Sequence, residues 1–394
     1  MDFGLTTAQE RLRDGVRALC APFDGAYWRE LDRERAYPER FVRTLTEAGH
    51  LAALIPEEYG GRGLGLAEAS IILEEINRSG GSSSACHAQM YIMGALVRHG
   101  SEAQRARWLP QIASGALRLQ AFSVTEPEAG SDTTAIRTTA RREGGGWVVD
   151  GFKNWTSRIE QSDLLLLLAR TSGGEDGADR ADRADRTRGL SLFLVDLRAA
   201  RGDGTIEVRR TRTMFNYETY EVTYRGLRLP MDALVGGEGI GFRHVLDGWN
   251  AERILLAAEC IGDGRWFVEK GAAYASARVV FGRPIGQNQG VQFPLARAHA
   301  QIAAADLLRW KAAWLFDAGR SCGAEANMAK LLASEASWAA ANACLDTHGG
   351  IGFVDEHDVE RKFRETRLFQ IAPVANNLVL AYVAQHVLGM PKSY

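Results

Sequence analysis

Residues Ala121-Phe-Ser-Val-Thr-Glu-Pro-Glu-Ala-Gly-Ser-Asp132 mark the point where the chain changes character. The stretch reads as a strand running into a Pro/Gly turn, with Thr125, Ser131 and several backbone amides brought close together. Such a turn can hydrogen-bond a planar heteroaromatic ring or a phosphate, or be a polar turn that holds nothing. From Ala121 to about Gly236, short β-prone runs alternate with turn residues: Trp147–Val149, Leu164–Ala169, Leu190–Val195, Ile206–Val208 and Tyr220–Tyr224. That rhythm predicts a compact β domain. Within it, Thr171–Arg188 repeats Ala-Asp-Arg and holds almost nothing apolar, which predicts a solvated loop between two strands.

Upstream of this region the pattern is helical. Thr7-Ala-Gln-Glu10 has the spacing of a capping box, and Leu12, Val16 and Leu19 follow at helical intervals. Pro38 suits a first helical turn ahead of Phe41, Val42 and Leu45. Pro56–Gly61 interrupts the pattern, and a further helix is expected over Ala67–Asn77. Downstream of Gly241 the sequence becomes rich in Ala and Leu. Helices are expected over Phe242–Ala277, Phe293–Gly319, Ala326–Thr347 and Val354–Glu365, with a last one after Pro373. The order defines an α+β chain divided at 1–120, 121–236 and 237–394, its last part a helical bundle.

A length of 394 residues exceeds what one hydrophobic core usually organises. Net charge is −2 with both signs interspersed, which gives no electrostatic reason to expect nucleic acid or an anionic membrane. The five cysteines (Cys20, Cys86, Cys260, Cys322, Cys344) form no Cys-x-x-Cys, so a reducing compartment fits best. The N-terminus has neither a basic start nor an apolar core, and the run Leu164–Ala169 is far too short for a bilayer. A cytoplasmic protein is expected. No Gly-x-Gly-x-x-Gly or Walker-type loop occurs, and Ser82-Ser-Ser84 lacks a nucleophile elbow. His348 and His357 flank a glycine turn without metal-ligand spacing, so no metal is expected.

The Ala121–Asp132 segment closely resembles the flavin-binding signature of the acyl-CoA dehydrogenase family, and further family-like segments follow in order. Lys153-Asn-Trp-Thr-Ser157 resembles the strand against the flavin. Arg278-Val-Val-Phe-Gly-Arg-Pro-Ile-Gly-Gln-Asn-Gln289 resembles the segment that reaches the FAD pyrophosphate, often across a subunit boundary. His348-Gly-Gly-Ile-Gly-Phe353 resembles the glycine turn near the other end of the cofactor. The resemblance implies an acyl-CoA dehydrogenase-like fold: an N-terminal helical domain, a central β-barrel-like domain and a C-terminal four-helix bundle. It implies FAD, an acyl-CoA substrate, an electron-transfer flavoprotein as acceptor and a homotetramer or homodimer. By the same resemblance, Phe122, Val124, Thr125, Trp155, Thr156 and Ser157 meet the isoalloxazine. Arg278, Phe281, Gln289, Asp346, Gly349, Gly350 and Asn377 serve the rest of the cofactor. Ser131 serves cofactor and substrate, and Asn250 and Arg253 touch the acyl-CoA.

The implied chemistry needs a base for the α proton and flavin N5 as acceptor of the β hydride. In many family members the base is a Glu in a loop following a Tyr-Gln-Ile-like stretch. Here that stretch is Phe369-Gln-Ile-Ala-Pro-Val-Ala375, and Pro373 holds the position. Proline is no base and offers no backbone N–H to an enolate. Asp346 and Ala375 also depart from the family pattern, standing where Gln and Thr are usual. A branch similar to isovaleryl- and long-chain acyl-CoA dehydrogenases carries its base on a helix, directly before an Arg. Trp249-Asn-Ala-Glu-Arg-Ile-Leu-Leu256 offers Glu252-Arg253 there, with apolar neighbours that would raise the carboxyl pKa. Glu252 is thus the expected base, against the plainer reading of a helix-surface ion pair. A flavin oxidase or monooxygenase on the same scaffold, or a catalytically silent FAD-binding protein, are the alternatives.

Overall fold

The computed structural model describes residues 4–171 and 187–393. The expected loop Thr171–Arg188 therefore falls, apart from its ends, outside the described residues.

Six helices precede the first strand: α1 (Thr7–Cys20), α2 (Gly25–Glu34), α3 (Glu39–Glu47), α4 (Leu66–Arg78), α5 (His87–His99) and α6 (Glu102–Ala113). The capping box of α1 lies one residue earlier than expected. Gln9 N–H donates to the Thr6 hydroxyl at 3.2 Å, and Thr6 N–H donates to the Gln9 side chain at 3.0 Å. Two overlapping matches compete, Thr6…Gln9 and Thr7…Glu10. Thr6 holds the extended backbone that a cap requires.

The next strands are β1 (Leu119–Ser123), β2 (Thr139–Glu143), β3 (Gly146–Ser157), β4 (Leu164–Arg170) and β5 (Leu190–Asp196). After the short α7 (Leu197–Ala200) come β6 (Ile206–Thr211), β7 (Thr219–Pro230) and β8 (Leu234–Val235). They form one sheet in the order β6-β7-β3-β2-β4-β5-β8, with β1 parallel to β4. The leucine run of β4 is buried on both faces. Leu164, Leu166 and Leu168 pack toward α5 and α6, whereas Leu165, Leu167 and Ala169 pack against Trp147, Phe193 and Val222. A strand covered on both sides has no reason to alternate, which explains the unbroken apolar sequence. β2 is a strand the sequence reading missed. Only Ala140 of Thr-Ala-Arg-Arg-Glu is buried, and Gly144-Gly145, both at positive φ, turn it back on β3.

The 37-residue α8 (Gly241–Ala277) then crosses the molecule. A hairpin of β9 (Val279–Val280) and β10 (Arg283–Pro284) leads to α9 (Gln289–Asp317), α10 (Gly323–His348), α11 (Val359–Thr366) and α12 (Asn376–Tyr382). The expected helix over Val354–Glu365 begins instead at Val359, after short 3-10 turns. α8 is the spine of two cores. Its Ile254 and Leu255 pack with α1, α3 and α4, while Leu256, Cys260 and Ile261 pack with α9 and α10. α4 lies so close that a Cβ on Gly262 would stand 2.3 Å from the Glu74 carbonyl oxygen. All five cysteines are buried and unpaired. Among the described residues, no helix is long and apolar enough to cross a membrane.

Candidate active site

Two helices bring four polar side chains together inside this packing. On α5, His87 and Tyr91 are one turn apart; on α8, Glu252 and Glu259 are two turns apart, so each pair shares a face. The faces meet in antiparallel sense. His87 Nδ1 lies 2.7 Å from Glu259 Oε1, and Tyr91 is near enough to Glu252 to lower its pKa. Glu252 is only 5% exposed, between the buried Ala251 and Ile254. Burial raises its pKa from the ordinary 4.5 to about 7, partly opposed by the charge of Arg253 and by Tyr91. A carboxyl titrating near neutrality can take and return a proton, which a surface-paired glutamate does poorly. Arg253 spans toward Asn250 Oδ1 at 3.4 Å, and its guanidinium carbon lies 5.9 Å from the Trp249 ring centre.

The Ala121–Asp132 turn is built on β3. Lys153, fully buried, donates to Val124 O at 2.8 Å and to Glu126 Oε1 at 2.9 Å. Glu126 in turn accepts the backbone N–H of Arg137 at 2.6 Å and of Thr138 at 2.9 Å, which closes the turn. Phe122, Val124 and Thr125 are half-buried along its start, and Ser131 is exposed at its end. The backbone of Asn154 donates to Thr125 O at 2.9 Å, so the two expected flavin segments lie side by side. Opposite β7 the register slips between Lys153 and Thr156, giving two residues against one. In this bulge Trp155 takes φ +58° and turns outward, 55% exposed. Thr156 and Ser157 stay buried, bonded to Ser123 Oγ at 3.0 Å and Thr219 Oγ1 at 3.4 Å respectively.

The expected cofactor residues of the β9–β10 hairpin lie far along the chain's longest helix from this cluster. Arg278 follows Glu252 by 26 residues along α8 and its cap, about 39 Å at the rise of an α-helix. Arg278, Phe281 and Gln289 are exposed on and beside the β9–β10 hairpin, with Phe281 at 100%. Asp346, Gly349, Gly350 and Asn377 are also exposed, the first three around the C-terminus of α10. A Cβ added to Gly349 or Gly350 would meet nothing within 4 Å.

Pro373 sits in the exposed joint before α12, and no carboxylate occupies that segment. The joint is anchored from below by buried Lys330 of α10, whose Nζ donates to Val374 O at 2.6 Å and Asn376 Oδ1 at 2.7 Å. Burial lowers the Lys330 pKa to about 8. Sequence reasoning missed Lys330, Tyr91, His87 and the buried Arg158. The last alone carried a signal, since it directly follows Lys153–Ser157. Among the described residues, His99, His244 and Asp247 could bring ligand atoms within 4.8 Å of one another. The two rings are stacked 3.9 Å apart at 25°, however, so their in-plane lone pairs run side by side rather than converging.

The structure is thus an α+β chain with a buried carboxyl on a helix and an exposed tryptophan in a bulge of its sheet. Three family models match: "Acyl-CoA dehydrogenase, N-terminal domain" over residues 6–116, "middle domain" over 121–226 and "C-terminal domain" over 239–388. The chain is 35% identical to the acyl-CoA dehydrogenase FadE12 of Mycobacterium tuberculosis, covering 100% of both chains. It is 34% identical to the (2S)-methylsuccinyl-CoA dehydrogenase of Cereibacter sphaeroides, over 90% of this chain and 65% of that one. The solved glutaryl-coenzyme A dehydrogenase glutaryl-CoA complex superposes with a TM-score of 0.90 at 30% identity, over 100% and 98% of the two chains. The chain belongs to the acyl-CoA dehydrogenase family. It is an oxidoreductase acting on CH–CH bonds.

Proposed function

We propose that the chain is an FAD-dependent dehydrogenase of acyl-CoA thioesters in which Glu252 removes the α proton, yielding a trans-2-enoyl-CoA. The observation that carries this reading is a deeply buried carboxyl on α8 whose pKa lies near 7. At neutral pH a substantial fraction is ionised and can accept the proton. Tyr91 and Arg253 favour the ionised carboxyl, and the apolar neighbours on α8 exclude water. Arg253, Asn250 and Ser131 hold the thioester. The helix-borne base aligns the chain with the isovaleryl- and long-chain-like branch.

The residues present suit FAD. Trp155 offers an exposed aromatic face, Ser157 and Thr156 offer hydroxyls, and Phe122, Val124 and Thr125 line the strand beside them. Arg278 forms no ion pair with a described residue, as a pyrophosphate ligand would require, and the open space above Gly349 and Gly350 admits a ligand's close approach. When bound, FAD supplies the acceptor for the β hydrogen. The 39 Å estimate between Glu252 and Arg278 supports a homo-oligomer, dimer or tetramer, in which the hairpin serves a neighbour's cofactor. Exposed Val279, Val280 and Phe281 supply an apolar contact for it. An electron-transfer flavoprotein is the acceptor that goes with this chemistry. Five unpaired thiols favour the cytoplasm.

Glu252→Gln tests the reading. The variant should purify folded and yellow, while turnover of acyl-CoA falls about a hundredfold or more. Near-normal bleaching of its flavin by acyl-CoA would remove Glu252 from the role.

A further inference from the structure

We propose that Arg158 is a specificity residue that binds a carboxylate on the acyl group, so that the preferred substrates are CoA thioesters of short dicarboxylic acids. The proposal deepens the reading of Glu252 as base and rests on it.

Arg158 is the first residue beyond β3, held at φ +57° with its N–H donating to Glu218 O at 2.7 Å. Its side chain runs inward and the residue is 3% exposed. Nη1 donates to the Ser84 carbonyl, just ahead of α5, and the guanidinium carbon lies 5.5 Å from the Tyr217 ring centre. Nε is buried and has no hydrogen-bond partner. Among the described residues no carboxylate lies within ion-pairing distance of it.

Only Lys330 among the other fully buried cations described also lacks a carboxylate, and its ammonium is instead bonded to Val374 O and Asn376 Oδ1, whereas Arg158 has an unpartnered edge. Arg309 has Glu74 at 2.8 Å, Arg361 has Glu365 at 3.0 Å, Lys362 has Asp263, and Lys153 has Glu126 at 2.9 Å. A buried guanidinium without a counter-ion is unfavourable unless something else supplies the negative charge. The groups nearest Arg158 are the phenols of Tyr217, Tyr91 and Tyr37, and its charge reaches the Glu252 carboxyl only weakly, as the last of the influences on that group. Tyr91 relates this site to the proposed base, because both Glu252 and Arg158 act on its phenol. Cations are in excess here. Arg253 and Lys330 act on the same region, and the second carboxylate on this face of α8, Glu259, is already held by His87.

An arginine has donors and no acceptors, so whatever satisfies its free edge must be an acceptor, and a carboxylate fits the planar fork in both charge and shape. A thioester with its α carbon at Glu252 would run its chain past Tyr91 toward that fork. An alkyl tail in the same place would leave the guanidinium unpaired, which penalises the uncharged substrate.

The test uses full-length, FAD-loaded protein and two ligands of equal length, glutaryl-CoA and pentanoyl-CoA. Binding is measured by calorimetry on Glu252→Gln, so that no turnover intervenes. Glutaryl-CoA should bind about tenfold or more tightly than pentanoyl-CoA, the range of a charge-assisted hydrogen bond. Adding Arg158→Met should bring the ratio close to one. Arg158→Lys, which keeps charge without the fork, should fall between and serves if the methionine variant does not fold. Absence of a preference in the parent, or equal weakening of both ligands by either substitution, overturns the proposal. Failure of the base assignment is separate, since it would leave this ligand preference standing while Glu252→Gln turned over normally.

Discussion

As the proposed base, Glu252 would have to be buried enough to hold its proton near neutrality and still lose it. Its folded pKa of about 7 against an ordinary 4.5 fixes two opposite pH trends. Activity needs the ionised form, so kcat/KM should rise with pH through about 7, and a profile flat from pH 6 to 8 would argue against this base. Stability runs the other way. A raised carboxyl contributes fully below about 4.5, and that contribution is lost as pH rises through about 7. Glu252→Gln removes this loss, so its thermal midpoint should exceed that of the parent at pH 8 and approach it at pH 5. Lys153 is the other decisive residue. Lys153→Met strands Glu126 as a buried charge beneath the Ala121–Asp132 turn, a change that typically costs about 3–5 kcal/mol. The purified variant should show a reduced ratio of flavin to protein absorbance. Glu252 and Arg253 were legible because they are adjacent in sequence and lie in an apolar run. Tyr91, His87 and Arg158 were not, since each acquires meaning only from a group about 70 to 170 positions away in sequence: a carboxyl on α8 for the first two, the Ser84 carbonyl for the third.

At the scale of elements, α8 is held by close approach as much as by apolar burial. Gly262→Ala would force a Cβ against the Glu74 carbonyl of α4, where backbone cannot yield cheaply. A loss of about 1–3 kcal/mol is expected, visible as a lower melting temperature. Gly248→Ala on the same helix is the contrast. Its Cβ would sit 4.0 Å from the nearest atom, an ordinary contact, and the better helix former should hold or raise the midpoint. The long helices and the all-leucine β4 were readable from periodicity, because one period or one continuous run dominates each. β2 was not, since a strand burying only Ala140 carries no pattern of its own and is set by its glycine turn and by β3. The α1 cap slipped by a residue for a different reason, two equivalent signals in tandem.

For the whole molecule, the separation of Glu252 from the hairpin predicts a mixing experiment. Arg278→Ala and Glu252→Gln should each be nearly inactive alone. Co-refolded, they should regain activity, because in a two-fold oligomer one kind of site receives both intact residues, about one site in four on random pairing. No recovery on mixing, with mixed oligomers demonstrated, would mean that each chain completes its own centre. The same interior that sets the acid also governs sulfur. Burial lifts the thiol of Cys20 to about 11 and that of Cys344 to about 12, and pushes Cys86, Cys260 and Cys322 up as well. Peroxide attacks thiolate, not thiol. The chain therefore carries five sulfurs that peroxide scarcely touches, and ageing of the protein in air should leave the native free-thiol titre unchanged.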